Sequence, residues 1–201
     1  MLELTVLQAV RLKGRITVGD LADTLRADSG EVAELSSYLS TQKLLVPGAT
    51  MRLTAEGRAR LAELLDDERA TLDADALAAV YADFRGPNAA LKAALTDWQV
   101  KDGDPNCHDD PEYDAAVVAR VEEIHASVLP VIAAAATALP RLSVYAIKLN
   151  TAMEHIRGGE TSWLTQPLID SYHTVWFELH EELITATGLT RAHEARDGNA
   201  S

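Results

Sequence analysis

The stretch ITVGDLADTLRADSGEVAELSSYLSTQKLLVPGATMRLTAEGRARLAELL, residues 16–65, carries two helix starts, a short turn, a hairpin signal and a further helix start, in that order. Thr17 stands as an N-cap before Val18, Leu21, Ala22 and Leu25, which recur at helical spacing and form one apolar face. The helix so marked ends near Arg26. Asp28, with Glu31 three residues on, has the capping-box pattern, and Val32, Leu35, Ser36 and Leu39 put one stripe on a helix from Ser29 to Lys43. About three residues separate the two helices, so they cross steeply rather than lie antiparallel. Leu44-Leu45-Val46 and Met51-Arg52-Leu53 are short β-like runs joined by the turn residues Pro47-Gly48-Ala49-Thr50. Thr54 then caps a helix running to about Arg69. Upstream, Leu4, Leu7, Val10 and Arg11 follow helical spacing as far as Lys13, where Gly14 ends the first helix.

Three helices with a tight turn, a small hairpin and another helix form the order of a winged helix-turn-helix. The stretch resembles the winged-helix regulators of the MarR type, in which the wing is followed by the phrase LTxxGR, and Leu53-Thr54-Ala55-Glu56-Gly57-Arg58 reproduces that phrase. The resemblance covers about a third of the chain and implies a regulator of transcription bound to double-stranded DNA. A helix entering the major groove reads bases from its N-terminal and outward positions. Those positions here are Ser29, Gly30, Glu31, Ala33, Glu34, Ser37 and Tyr38, of which Ser29, Ser37 and Tyr38 are the candidate base contacts. Glu31 and Glu34 would face phosphates, and the helix has no basic residue before Lys43, so bidentate reading of guanine by arginine is absent from it. Arg11, Lys13, Arg15, Arg26 and Arg52 are the candidate phosphate contacts. The wing, Pro47-Gly48-Ala49, is shorter than the family's and has no arginine at its tip. Use of the winged helix for protein contact or dimerisation is therefore the alternative.

The chain has 201 residues, 47% hydrophobic and 24% charged, which fits one or two folded domains. Its 18 basic and 31 acidic side chains leave a formal charge of −13, which excludes a general nucleic-acid coat. The imbalance is uneven: residues 1–70 hold 9 basic and 11 acidic side chains, residues 71–201 hold 9 and 20. The shift, at Asp66-Asp67-Glu68-Arg69, predicts a domain boundary, with a winged helix-turn-helix over 1–70, a helical bundle over 71–190 and a polar, frayed tail over 191–201. The weakly polar run Val128–Leu139 is too short to span a membrane. No basic leader precedes an apolar core, and Cys107 is the one cysteine, so the expectation is a cytoplasmic chain without an internal disulfide.

Residues 71–190 read as helices throughout. One starts at Asp73 and is ended or kinked at Gly86-Pro87 before Leu91, Leu95 and Trp98 continue it. A polar loop spans Val100 to Pro111. A long helix then runs on with a possible kink at Pro130, another opens at Pro140 and closes at Gly158-Gly159, and the last begins near Pro167. No period-2 strand is visible, and the expected fold is all-α with one small β-hairpin wing, its C-terminal part an antiparallel helical bundle.

Two places collect chemistry. The loop Asp102, Asp104, Asn106 echoes the start of a calcium loop, but Cys107 and Tyr113 stand where glycine and glutamate are needed, so a solvated loop is expected. In WLTQPLIDSYHTVWFELHEELI, His173 and His180 share a helix face about 10 Å apart, too far to clamp one ion unaided. A metal held by either would need Asp170, His108, His125 or His155. The same residues are equally a satisfied core, or a small-molecule pocket built from Trp98, His108, Tyr172, His173, Trp176, His180 and Glu181. The phosphate-cradling, dinucleotide, nucleophile-elbow and H-E-x-x-H motifs are all missing, so neither catalysis nor a cofactor nor a metal is expected. The stretches YADFRGPNAALKAALTDWQ, PNCHDDPEYD and SYHTVWFELHEELI are similar to helical modules of pyruvate phosphate dikinase-like, phosphoenolpyruvate-utilising proteins. That similarity implies an accessory module beside a partner enzyme. The leading expectation is a homodimeric winged-helix regulator whose bundle dimerises or senses a small effector.

Overall fold

A computed structural model describes residues 2–189, a mostly helical chain with two small antiparallel hairpins. The expected tail, 191–201, lies outside the described residues. The chain divides into two compact units between Thr71 and Leu72.

The first unit is built from α1 (Leu2–Lys13), α2 (Val18–Leu25), α3 (Ser29–Thr41), β1 (Leu45–Val46), β2 (Arg52–Leu53) and α4 (Ala55–Arg69). Its caps are those the sequence marks. Thr17 Oγ1 accepts the Asp20 amide at 3.1 Å, and Asp28 Oδ1 accepts the amides of Gly30 and Glu31 at 2.9 and 3.0 Å. Between these helices Arg26 turns the chain in the left-handed region, φ 52°. β1 pairs with β2 in the register Leu45↔Leu53 and Val46↔Arg52, and Ile16 extends the ladder by exchanging both backbone hydrogen bonds with Met51. Val6, Leu7, Val10, Leu21, Val32, Leu39, Leu45 and Leu61 fill the core.

The residues of Leu53–Arg58 hold this unit together by specific contacts. Thr54 Oγ1 accepts the Gly57 amide at 2.8 Å while its hydroxyl donates to the Lys43 carbonyl at 2.6 Å. Thr54 N donates to the Leu44 carbonyl, and Arg58 Nη1 donates to the Leu53 carbonyl at 3.3 Å. Gly57 is buried where α4 crosses Leu44, and a Cβ placed there would be driven into the Leu44 carbonyl oxygen. The obstruction is backbone and cannot rotate away.

The second unit comprises α5 (Ala74–Gln99), β3 (Val100–Lys101), β4 (Asp104–Pro105), α6 (Pro111–Ala138), a 3-10 turn at Pro140–Leu142, α7 (Ser143–Arg157), the short α8 (Ser162–Thr165) and α9 (Tyr172–Ala186). α5 and α6 run antiparallel: Arg120 and Tyr113 of α6 bond Asp97 near the end of α5. Three boundaries differ from the sequence reading. α5 passes through Gly86-Pro87 unbroken, because the proline removes one helical donor while buried Phe84 and Asn88 hold the turns on either side. The polar loop contains the hairpin β3–β4, whose two-residue turn Asp102-Gly103 has φ 54° and 91°, the positive values that an Asp-Gly turn supplies. α9 begins at Tyr172 instead of near Pro167, since Gln166 is extended before the proline and the Ser171 hydroxyl accepts the Thr174 amide.

Gly57→Ala is expected to destabilise the first unit by about 3 kcal/mol, the cost of overpacking against an immovable neighbour. Chemical denaturation of the full chain checks it; Ala59→Gly, on the exposed side of the same helix, should cost no more than about 1 kcal/mol.

Candidate functional site

In the first unit the cationic residues and the outward face of α3 are placed by separate devices. α3 buries Val32, Ser36 and Leu39 and leaves Ser29, Ala33, Glu34, Ser37, Tyr38 and Thr41 exposed, with Tyr38, the one aromatic residue in the sequence of this unit, at 57%. Arg26 lies exposed at the turn before it. Arg11 and Lys13 occupy the last turn of α1, half-buried, where positive charge complements the helix C-terminus. The Ile16↔Met51 bridge ties the segment before α2 to the hairpin, and exposed Arg15 and Arg52 each adjoin one of the two bridged residues. Arg11, Arg15 and Arg52 thus gather where α1 meets the hairpin. Arg58, which the sequence reading did not select, joins Arg11 and Arg52 around one cavity there. Its position in the LTxxGR phrase was the available signal.

In the second unit the seven residues expected to form a pocket fall in more than one place: Trp98 lies with His108, while Tyr172 and Trp176 stack on one another along α9 with ring centres 5.9 Å apart. Trp98 stacks on His108, ring centres 4.4 Å apart, at the foot of the β3–β4 hairpin, where Asp114 and Asn106 bond the His108 ring. Tyr172 donates to His125 Nδ1 at 3.3 Å, and His125 Nε2 meets the Asn150 side-chain oxygen at 3.0 Å, which fixes the neutral tautomer protonated on Nε2. Trp176 donates to Asn88 at 2.9 Å, and His180 Nε2 is bonded to the Tyr81 hydroxyl at 3.1 Å. Only His173 and Trp176 of the seven share a small depression with Leu91 and Leu95, and Glu181 lies half-buried elsewhere on α9. α9 is enclosed on nearly every side, and its polar groups point to different neighbours, Trp176 to Asn88, His180 to Tyr81 and Glu182 to Arg141. Among the described residues no group of three or more His, Cys, Asp or Glu is placed to hold a metal ion.

The same helix holds a buried ionic cluster that sequence reasoning missed. Glu178 and Glu182, one turn apart, are 2% and 3% exposed. Arg141 Nη1 lies 2.6 Å from Glu182, and Lys148 Nζ lies 3.2 Å from Asp170 and 3.6 Å from Glu178. Tyr145 donates to Glu182 at 3.4 Å, and burial together with the neighbouring carboxylates holds its hydroxyl protonated well above the ordinary range. Glu178 and Glu182 at i, i+4 beside the apolar Val175, Leu179 and Leu183 were the visible sign.

Comparison of the chain with known protein families, with curated proteins and with solved structures finds no match.

Arg141→Met should lower the stability of the second unit by about 3–5 kcal/mol, because it strands the Glu182 charge in the core. The double variant Arg141→Met, Glu182→Leu should recover most of the loss in the same denaturation assay. Burial lowers the pKa of both His125 and His173 below the ordinary 6.5. The unfolded chain then takes up protons before the folded one does, so their contribution is complete above 6.5 and is lost as pH falls through the folded values. Denaturation from neutral to about pH 5 should show that decline, flattened in His125→Gln, His173→Gln.

Proposed function

We propose that the protein is a winged-helix regulator of transcription whose first unit binds double-stranded DNA and whose second, helical unit dimerises the chain or senses a small molecule. The observation that carries this reading is the uncovered outer face of α3, capped and oriented by Asp28, on a unit whose exposed arginines include Arg15, Arg26 and Arg52. The order of helices, hairpin and α4, and the structural use of Thr54, Gly57 and Arg58 within the LTxxGR phrase, support the same assignment. Here Thr54 staples α4 to the end of α3, Gly57 permits the contact, and Arg58 bonds the strand before it. Ser29, Ser37 and Tyr38 then face bases, and Arg11, Lys13, Arg15, Arg26 and Arg52 hold phosphates.

The opposing observation is that Glu31 and Glu34 are exposed on the same helix. It favours the second reading, a winged helix used as a protein-contact module beside a partner enzyme. The two readings separate in one assay: binding of the full chain to DNA from upstream of its own coding sequence at two salt concentrations. DNA binding predicts an affinity that falls steeply with salt, and a slope reduced by about 3 in Arg11→Glu, Lys13→Glu, Arg15→Glu as three phosphate contacts are lost. Tyr38→Ala should weaken binding without changing that slope. Absence of binding at low salt would reject the DNA reading and leave the protein-contact one.

A further inference from the structure

Where the end of α1, strand β2 and the first turn of α4 come together, a cavity of about 240 Å³ is lined by Val10, Arg11, Gly14, Arg52, Leu53 and Arg58. Half of that lining is arginine and none of it is acidic, in a chain whose acidic side chains outnumber its basic ones by 31 to 18. The three guanidiniums come from three different elements. Two are held in place by uncharged acceptors: Arg11 Nε donates to Gln8 Oε1 at 3.0 Å and Arg58 Nη1 to the Leu53 carbonyl at 3.3 Å. Among the described residues no carboxylate forms an ion pair with Arg52 or Arg58. Gly14, at φ 70°, leaves its part of the wall open, with no atom within 4 Å of where a Cβ would stand. Arg15, next to Ile16 of the bridge whose partner Met51 precedes Arg52, adds charge nearby.

Like charges gathered at one place repel, and an anion among them relieves the repulsion. The geometry points to this cavity as a binding site for a small phosphate-bearing ligand. A guanidinium matches a carboxylate or a phosphate equally well, but arginines arriving from three elements suit a tetrahedral group with several anionic oxygens better than a planar carboxylate with two. The volume sits just under the roughly 300–1,000 Å³ of typical ligand pockets, enough for a phosphoryl group and a small organic part. The inference does not rest on the DNA reading, although a duplex phosphate offers the same chemistry and must be separated from it.

The test titrates the full chain with inorganic phosphate and with pyrophosphate, using acetate as control, and follows the arginine Nε–H resonances by NMR at low ionic strength. Saturable one-to-one binding that moves the Arg11, Arg52 and Arg58 signals, with acetate much weaker, is the expected result. Affinity should fall about tenfold or more in Arg58→Gln and in Arg52→Gln, the loss of one charge-assisted contact in each. Both side chains are exposed, so an unchanged circular dichroism spectrum accompanies that loss. The inference is overturned by an absence of saturable shifts, by affinity unchanged in the Arg52→Gln, Arg58→Gln double variant, or by shifts that duplex DNA alone produces. Pyrophosphate binding in a chain that does not bind DNA would uphold this site and reject the DNA reading.

Discussion

The first unit depends on how closely the first turn of α4 approaches the backbone at Leu44. That approach requires Gly57, since any side chain there meets a carbonyl that belongs to the segment leading into β1. Thr54 completes the contact by serving both partners at once: it caps α4 and donates to the carbonyl of Lys43. Because the same few residues follow β2 directly, the position of α4 also fixes the strand register and brings Arg58 to the cavity shared with Arg11 and Arg52. A small unit of short helices and two-residue strands has little buried area with which to tolerate a misfit. One close contact between elements therefore decides more here than it would in a larger core.

The second unit is organised by a different constraint, the near-complete enclosure of α9. A helix buried on most sides is usually apolar all round. This one carries His180, Glu178 and Glu182 into the interior, and each must be matched by a group on another helix. Tyr81 answers His180, while Arg141 and Lys148 answer the glutamates. Such pairs add little net stability over an apolar replacement, but they penalise any packing that separates the partners. They therefore select one arrangement of α5, α7 and α9 from the several that apolar packing alone allows.

What could be read in the sequence was local. Thr17, Asp28, Thr54 and Asp73 cap helices because a short side chain bonds an amide two or three residues on, and that chemistry needs no tertiary partner. Pro87 left an end or a kink open for the complementary reason: its local preference is to break a helix, and packing on both sides carries the helix through it. Asp102-Gly103 marked a turn whose flanking strands are too short to show a period of two. The surroundings of the expected pocket residues are set at a larger scale. His173, His180 and Trp176 do share one helix, but the positions of α5, α6 and α7 decide where their side chains find partners, and those positions depend on contacts up to about a hundred residues apart in the chain, such as Tyr81 to His180 with a separation of 99.

The total charge and the local charge pull in different directions, and distance decides between them. At physiological ionic strength a charge is screened over about 8 Å, so the net −13 does not cancel arginines that line a common cavity. What it does affect is approach. A polyanion nearing this chain meets repulsion from the whole molecule before it meets attraction from Arg11, Arg15, Arg52 and Arg58. Added salt weakens the long-range repulsion while it also weakens each contact, and the two effects oppose one another in the measured affinity. The salt dependence of any polyanion complex of this protein is therefore shallower than its number of contacts implies. A small anion carries few charges and feels less of the long-range field, so it reports the arginine cluster more directly than a duplex does.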